Sequence, residues 1–175
     1  MTISEINSLS NEALTELLSQ CCAAQNWVNK MVSGVPYQDA DDMKNQAVNY
    51  WQQMGEDDWM EAFLAHPMIG DVKSLREKYA NTLSMASNEQ ASTREAADHV
   101  LKQLACYNQK YLEKFGFIFI VFASNKTAEQ MLDLLLKRIH NSRDVELKNA
   151  ADEQLKITLL RIEKLFAQPA SVANE

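Results

Sequence analysis

Apolar residues recur every three to four positions along most of this chain, a spacing that places them on one face of an α-helix. The first clear case is the segment 11–22, in which positions 14, 17, 18 and 21 are apolar. A second helix is predicted to end at Gly34 and Pro36, residue types that stop helices. Along the whole chain the pattern predicts helices over about 11–22, 24–32, 40–54, 57–65, 72–79, 88–114, 128–140 and 144–166.

Residues that cap helix N-termini support these assignments. Asp39 and Asp71 each precede a helical segment, where an aspartate side chain can accept a hydrogen bond from a free backbone N–H. Ser87–Gln90 and Thr127–Gln130 both match the capping box, in which serine or threonine is followed three residues later by glutamine. We therefore expect helices to begin at these four places.

Two segments interrupt the helical pattern. In the first, 66–71, His66 stands directly before Pro67, and the residue before a proline avoids helical angles. In the second, Phe115–Ala123, every residue except Gly116 is apolar, as in a buried strand. Because no second strand is predicted to pair with it, we interpret this run as a buried extended connection. Its backbone groups then need partners other than a sheet ladder.

These elements predict an all-α fold. We expect a single-domain helical bundle of about seven to nine helices with one buried extended segment at 115–124. The helical domain is expected to cover residues 1–167, and residues 168–175 are expected to form a disordered tail because terminal residues with few contacts are poorly ordered.

Composition narrows the functional class. Hydrophobic residues make up 46% and charged residues 23% of the chain, which is typical of a soluble globular protein. The net charge of −7, without a basic cluster, argues against nucleic acid as a partner. No apolar run approaches the ~20 residues of a membrane span, and no secretion signal is visible. The spacing of Cys21, Cys22 and Cys106 does not resemble a disulfide framework, so we expect a reducing cytoplasm.

Candidate chemistry begins with His66 and Glu89. A histidine fixed at a rigid corner is suited to acid–base catalysis, although it can equally be bonded to a carbonyl at a helix end. Glu89 lies inside the capping box of Ser87 and Gln90, which by itself explains all three residues. The same arrangement is also an anchored carboxylate beside free N–H groups that can bind an anion or a polar heterocycle.

Arg161 and the 115–123 run are the other two candidates. Arg161 lies beside the apolar stripe of the last helix, where it can bind a carboxylate or simply cover the core with its stem. The 115–123 run can present backbone N–H and C=O groups to a planar, amide-rich ligand, or it can be core alone. No CxxC or HExxH pairing indicates a metal site.

Four motifs in order give a more specific result. AHPMIGD, SNEQA, YLEKFGFIFIVFA and EQLKITLLRIEKL together resemble the OHCU decarboxylase family, and the resemblance covers nearly the whole chain. It implies an all-α enzyme of urate breakdown that converts 2-oxo-4-hydroxy-4-carboxy-5-ureidoimidazoline (OHCU) to (S)-allantoin and carbon dioxide. It also implies that the enzyme needs no cofactor or metal and is a homodimer.

Site residues follow from the resemblance, position by position. His66 matches the family's catalytic histidine, and Glu89 matches its partner carboxylate. The positions that match substrate contacts are Pro67, Ser87, Gln90, Phe119, Ile120, Val121, Phe122, Ala123 and Arg161.

The chain departs from the family pattern at two places. Met68 stands where the family usually has arginine, and Met85 lies near where an aromatic residue often precedes the serine. Neither change removes a group assigned to catalysis. Two alternatives stay open: a decarboxylase for a related heterocyclic acid, and a non-enzymatic helical interaction module.

Overall fold

The structure, a computed structural model, describes residues 1–68, 71–79, 91–124 and 126–167, with the backbone alone for 91–96. Within these ranges the chain forms nine helices and no strand, so the all-α prediction is confirmed. None of the described helices is long and apolar enough to cross a lipid bilayer. The helices are α1 (Ile3–Asn7), α2 (Asn11–Cys21), α3 (Gln25–Ser33), α4 (Ala40–Trp51), α5 (Glu56–Leu64), α6 (Val72–Lys78), α7 (Ala91–Phe115), α8 (Ala128–Arg138) and α9 (Arg143–Phe166).

The chain consists of two compact units. The first unit comprises Met1–Ala65 together with Ala151–Glu175, and the second comprises His66–Ala150. Helices α1–α5 belong to the first unit, and α6–α8 belong to the second. Helix α9 begins in the second unit and continues into the first. The predicted tail, 168–175, lies outside the described residues.

Helix α3 is central to the first unit, where it packs against α2, α4 and α5. Two buried tryptophans join neighbouring helices there. The indole N–H of Trp27 donates to the carbonyl of Ala47 at 3.0 Å, and that of Trp51 donates to the carbonyl of Ala151 at 3.0 Å. Each ring thus fills the core with apolar surface while its polar N–H has an acceptor.

Helix α7 is central to the second unit, where α6 and α8 pack against it. It ends at Phe115, and Gly116 follows with φ of +78°, a left-handed conformation that glycine adopts without steric cost. The ring of Tyr111 lies between 4.6 and 5.9 Å from the rings of Phe115, Phe117 and Phe119. This aromatic cluster joins the end of α7 to the non-helical segment that follows it.

Most predicted helix starts are confirmed. Asp39, Asp71 and Thr127 each cap a helix by accepting a hydrogen bond from a backbone N–H three residues later. The helix predicted over 57–65, with Asp57 or Asp58 at its start, begins one or two residues earlier than predicted, because α5 begins at Glu56. Asp58 instead accepts a hydrogen bond from the N–H of Gly55 at 3.0 Å. The Ser87–Gln90 capping box lies outside the described residues.

Helix α1 was not predicted from the apolar pattern. Its five residues are too few to show a helical period, and a capping box stabilises it. Glu5 donates its backbone N–H to the hydroxyl of Thr2 at 3.2 Å, and Thr2 donates its N–H to the Glu5 carboxylate at 2.7 Å. Asn7 then exchanges two hydrogen bonds with the backbone of Tyr37, which attaches α1 to the loop before α4.

The cysteines differ in their surroundings. Cys21 and Cys22 are buried at the end of α2, whereas Cys106 is exposed. Burial raises the pKa of both the Cys21 and the Cys22 thiol to about 11, because a thiolate would be poorly solvated there. An unfolded chain would ionise these thiols near pH 9, so alkaline conditions favour unfolding.

We predict that the free energy of unfolding falls between pH 9 and pH 11, by at most about 1.4 kcal/mol per pH unit for each thiol. The sign follows from the raised pKa: the thiols contribute stability below pH 9 that is lost as the pH rises toward 11. Urea unfolding at pH 8, 9.5 and 10.5 would measure it. The double variant Cys21→Ala/Cys22→Ala should show a shallower dependence, and Cys106→Ala should not. Equal slopes in all three proteins would contradict the prediction.

Candidate active site

His66 lies in the connection between α5 and α6. Helix α5 ends at Leu64, so His66 follows the helix rather than continuing its face, and it is half-buried. Pro67 is exposed, and 43% of the surface of Met68 is accessible to water. The corner therefore holds an imidazole with partial access to solvent, as an acid–base group needs.

The start of α6 is capped by the side chain of Asp71. The Asp71 carboxylate accepts hydrogen bonds from the N–H and the hydroxyl of Ser74, at 2.9 and 2.7 Å. The bond from the Ser74 hydroxyl, followed by that from its N–H, lowers the pKa of Asp71. Asp71 therefore stays a charged cap. His66 is thus located five residues before a well-formed helix start.

The segment 116–124 has no regular structure. Phe117 and Ile120 are buried, and Phe119, Val121, Phe122 and Ala123 are half-buried. Two cations bind its carbonyl groups: Arg138 donates from Nη1 to the carbonyl of Ile120 at 2.9 Å, and Lys126 donates from Nζ to that of Phe122 at 2.9 Å. For these two carbonyl groups, side chains supply the predicted partners other than a sheet ladder.

The N–H groups of the same segment are arranged differently. Within the described part of the chain, no acceptor is bonded to the backbone N–H of Phe119, Val121 or Ala123. Backbone N–H groups are normally paired, so donors without a protein acceptor stand out. They are therefore available to carbonyl oxygens of a ligand.

A buried ion pair between Arg138 and Glu146 supports this segment. The Glu146 side chain is fully buried, and 12% of the Arg138 side chain is exposed. Nε of Arg138 donates to Oε1 of Glu146 at 2.6 Å, and the Tyr111 hydroxyl donates to the same oxygen. The other carboxylate oxygen accepts from Asn141 at 2.8 Å and from Asn149 at 3.2 Å. Both oxygens of a costly buried charge are thereby satisfied.

This cluster was not among the residues singled out from the sequence. One signal was available: Glu146 shares a helix face with Ala150 and Gln154, both of which are buried. A glutamate at a core position needs a cation, and Arg138 in the preceding helix was a candidate. Burial, together with the hydrogen bond to Glu146, also raises the pKa of Tyr111, so its hydroxyl remains a donor at neutral pH.

Arg161 lies in the first unit, where it binds the end of α2. Its Nη1 donates to the carbonyl of Cys21 at 3.1 Å and approaches that of Gln20 at 3.4 Å. A cation at a helix C-terminus satisfies carbonyls that have no partner within the helix and interacts favourably with the helix dipole. In the described part of the chain only Nη1 is engaged in this way, so the other guanidinium N–H groups remain available.

The predicted site residues fall into three groups. His66, Pro67 and the residues 119–123 belong to the second unit, and Arg161 belongs to the first. Ser87, Glu89 and Gln90 lie outside the described residues. The structure therefore gives the surroundings of seven predicted positions in the second unit and one in the first, each within its own unit.

In the described ranges the protein is all-α. It has a candidate ligand-binding site, whose features are the His66–Pro67 pair and a non-helical segment in which the N–H groups of Phe119, Val121 and Ala123 have no acceptor. The family model described as OHCU decarboxylase matches residues 7–163. This chain belongs to the OHCU decarboxylase family, as its motifs predicted.

Individual relatives agree with this membership. The chain is 38% identical over 158 residues to the uric acid degradation bifunctional protein TTL of Arabidopsis thaliana, covering 89% of this chain and 48% of that protein. It therefore spans about half the length of that relative. It is 21% identical over 168 residues to the 2-oxo-4-hydroxy-4-carboxy-5-ureidoimidazoline decarboxylase of Haloferax volcanii, covering 95% of this chain and 97% of that one.

A solved structure is similar over nearly the whole chain. It is a crystal structure of OHCU decarboxylase in the presence of (S)-allantoin, with a TM-score of 0.70 and 35% sequence identity. The similarity covers 91% of this chain and 100% of that one. The helical architecture described above is thus similar to that of this OHCU decarboxylase structure.

We predict that Arg161→Gln lowers the free energy of unfolding by about 1–2 kcal/mol, because the carbonyls at the end of α2 lose a charged donor. Urea unfolding at pH 7 would measure the change. Lys164→Gln is the matched control, since Lys164 is an exposed cation one turn further along α9. An equal loss in the two variants, or no loss in Arg161→Gln, would contradict a capping role for Arg161.

Proposed function

We propose that this protein decarboxylates OHCU to (S)-allantoin and carbon dioxide in urate breakdown. The observation that carries the proposal is the similarity to an OHCU decarboxylase structure obtained in the presence of (S)-allantoin. The two chains are 35% identical, and the similarity covers 100% of the chain in that structure. The family match over residues 7–163 supports it. The N–H groups of Phe119, Val121 and Ala123, which have no acceptor in the described part of the chain, suit a ligand rich in carbonyl groups.

The proposed reaction uses the electronic structure of the substrate. The carboxylate to be lost is attached to C4, next to a C5=N double bond. When the bond between C4 and the carboxylate breaks, its electron pair forms a C4=C5 bond, and the imine nitrogen takes up the displaced pair and a proton. The C4 hydroxyl then loses its proton to become a carbonyl while C5 gains one. The substrate is its own electron sink, which is the role that a cofactor otherwise has.

In this proposal His66 and Glu89 transfer the protons at the C4 hydroxyl and at C5. A positioned side chain that exchanges a proton in the transition state contributes roughly 10²–10⁴-fold to the rate. The half-buried position of His66, directly after α5 in the chain, supports this role. Glu89 is proposed on its motif, which predicts a helix start that can hold an anion.

Other residues are proposed to bind the substrate. Ser87 and Gln90, with the backbone of 119–123, would hold the ureido group and the ring amides, and Pro67 would limit the movement of the imidazole. Arg161 would orient an anionic or carbonyl group with the N–H groups that it does not use at the end of α2. The unpaired N–H groups of Phe119, Val121 and Ala123 support the backbone part of this assignment.

We also propose a cytoplasmic homodimer. The cytoplasmic setting rests on the free cysteines, of which Cys106 is exposed and would be kept reduced there. The dimer rests on the family resemblance, with Met68 at a corner that an arginine usually occupies. Light scattering after gel filtration should give twice the mass of one chain, and the mass of a single chain would contradict the dimer.

The proposal can be tested by adding the protein to freshly generated OHCU and following (S)-allantoin by circular dichroism. We expect allantoin to appear faster than in the spontaneous reaction. A rate equal to the spontaneous one would contradict the proposal and would favour the alternative that the protein is a non-enzymatic helical interaction module. Activity on another heterocyclic acid alone would instead favour the related decarboxylase.

We predict that His66→Asn and Glu89→Gln each lower the decarboxylation rate by about 10²-fold or more while the protein stays folded. His99→Asn is the control for His66, because His99 is an exposed histidine on α7. Glu129→Gln is the control for Glu89, since Glu129 holds the same place in the Thr127–Gln130 capping box. Near-wild-type turnover in His66→Asn would remove His66 from the mechanism.

The capping interpretation of Glu89 has its own signature. If Glu89 only stabilises a helix start, Glu89→Gln should lower the melting temperature by as much as Glu129→Gln and leave turnover unchanged. Because the two glutamates occupy equivalent positions in S-x-x-Q and T-x-x-Q motifs, the comparison separates capping from catalysis.

A further inference from the structure

We propose that Arg138 and Lys126 are positioning residues that aim two backbone N–H groups, those of Val121 and Ala123, at the substrate. The inference rests on the proposed function and assigns the source of its backbone donors. Neither cation is proposed to contact the substrate. Each acts through a carbonyl of the 119–123 segment.

The argument begins with the geometry of the peptide group. A carbonyl and the N–H of the following residue belong to one planar, trans unit, so they point in opposite directions. The carbonyl of Ile120 is bonded to Arg138, and the N–H in the same plane is that of Val121. The carbonyl of Phe122 is bonded to Lys126, and the N–H in the same plane is that of Ala123. Fixing each carbonyl therefore fixes the direction of one N–H.

Those two N–H groups are among the donors of the segment that have no acceptor in the described protein. Within the described ranges the N–H groups of Val121 and Ala123 donate no hydrogen bond, although both residues are half-buried. Backbone N–H groups are strong donors that are normally paired, so these two can bond to a ligand. Two cations on the carbonyl side and free donors on the opposite side match a binding surface for carbonyl oxygens.

Arg138 is held more firmly than its single bond to Ile120 implies. Nε binds the buried Glu146 carboxylate at 2.6 Å while Nη1 binds the Ile120 carbonyl at 2.9 Å. The guanidinium carbon also lies 4.8 Å from the centre of the Phe119 ring. A planar fork can make these contacts together, whereas the single ammonium of lysine cannot. The end of α8 is thereby connected to the peptide plane before Val121.

Lys126 makes the second connection at closer range in the sequence. Its ammonium binds the Phe122 carbonyl and lies 5.9 Å from the centre of the Phe122 ring. Its backbone N–H donates to the carbonyl of Ala123 at 3.2 Å, which turns the chain toward α8. The two cations thus hold two peptide groups of one segment, the one between Ile120 and Val121 and the one between Phe122 and Ala123.

The test uses Arg138→Lys and Lys126→Met in the full chain. Arg138→Lys keeps a positive charge for Glu146 but loses the fork that also reaches Ile120. Because the proposed donors bind groups away from the breaking bond, we expect KM for OHCU to rise about 10-fold with kcat within about 3-fold of wild type, the pattern for lost uniform binding. The Kd of (S)-allantoin, measured by titration calorimetry, should rise by the same factor. Lys126→Met should change KM and Kd in the same direction.

Two controls separate positioning from general stability. Asn141→Ala removes a donor from the other oxygen of Glu146, so it should lower the urea midpoint while KM stays unchanged. Lys137→Gln removes an exposed cation next to Arg138 and should change neither. A KM that rises in Asn141→Ala as much as in Arg138→Lys at equal loss of stability would overturn the proposal.

The remaining outcomes are also decisive. If Arg138→Lys does not fold by circular dichroism, Lys126→Met carries the test, because Lys126 is not part of the buried ion pair. A wild-type KM and a wild-type allantoin Kd in a folded variant of either residue would overturn the role of that residue. A wild-type protein that binds allantoin but does not accelerate OHCU decay would contradict the proposed function alone. A wild-type protein that neither binds allantoin nor accelerates OHCU decay would contradict both the proposed function and the positioning role of Arg138 and Lys126.

Discussion

The burial of one carboxylate constrains most of the second compact unit. Glu146 has no access to water, and an unpaired charge there would cost several kcal/mol, so donors must surround it. They come from different parts of the unit: Tyr111 in α7, Arg138 at the end of α8 and Asn141 before α9. Because Tyr111 and Arg138 donate to one oxygen of this carboxylate and Asn141 donates to the other, the carboxylate fixes how these three elements meet. Through Arg138 the constraint extends to the backbone that is proposed to bind substrate.

Much of the helical architecture could be predicted because its determinants are local. Asp39, Asp71 and Thr127 cap helices through bonds to residues three positions away, so the sequence contains both partners side by side. The error at α5 has the same origin: Gly55 and Asp58 form the start together, and either aspartate before Trp59 satisfied the pattern. Helix α1 was too short for periodicity to reveal.

The candidate site was harder to predict, since its supporting contacts are not local. Arg161 binds carbonyls about 140 positions earlier in the chain, and nothing near it in sequence indicates that partner. The pairing of Arg138 with Glu146 crosses the connection between two helices and depends on both being folded. Periodicity marks which face of a helix is buried but not which buried polar groups meet. Motif resemblance supplied His66 and Glu89, which local physics alone explained as a helix stop and a cap.

Recognition through peptide groups has a consequence for how this chain can diverge. The N–H groups of Val121 and Ala123 exist whatever side chains those residues carry, so substitutions there alter packing without removing a donor. Arg138 and Glu146 have no such latitude, because each satisfies a buried group of the other. Under the proposed function, the residues whose backbone contacts the ligand can be substituted. The residues whose identity is most restricted are then Arg138 and Glu146, whose side chains do not contact the ligand.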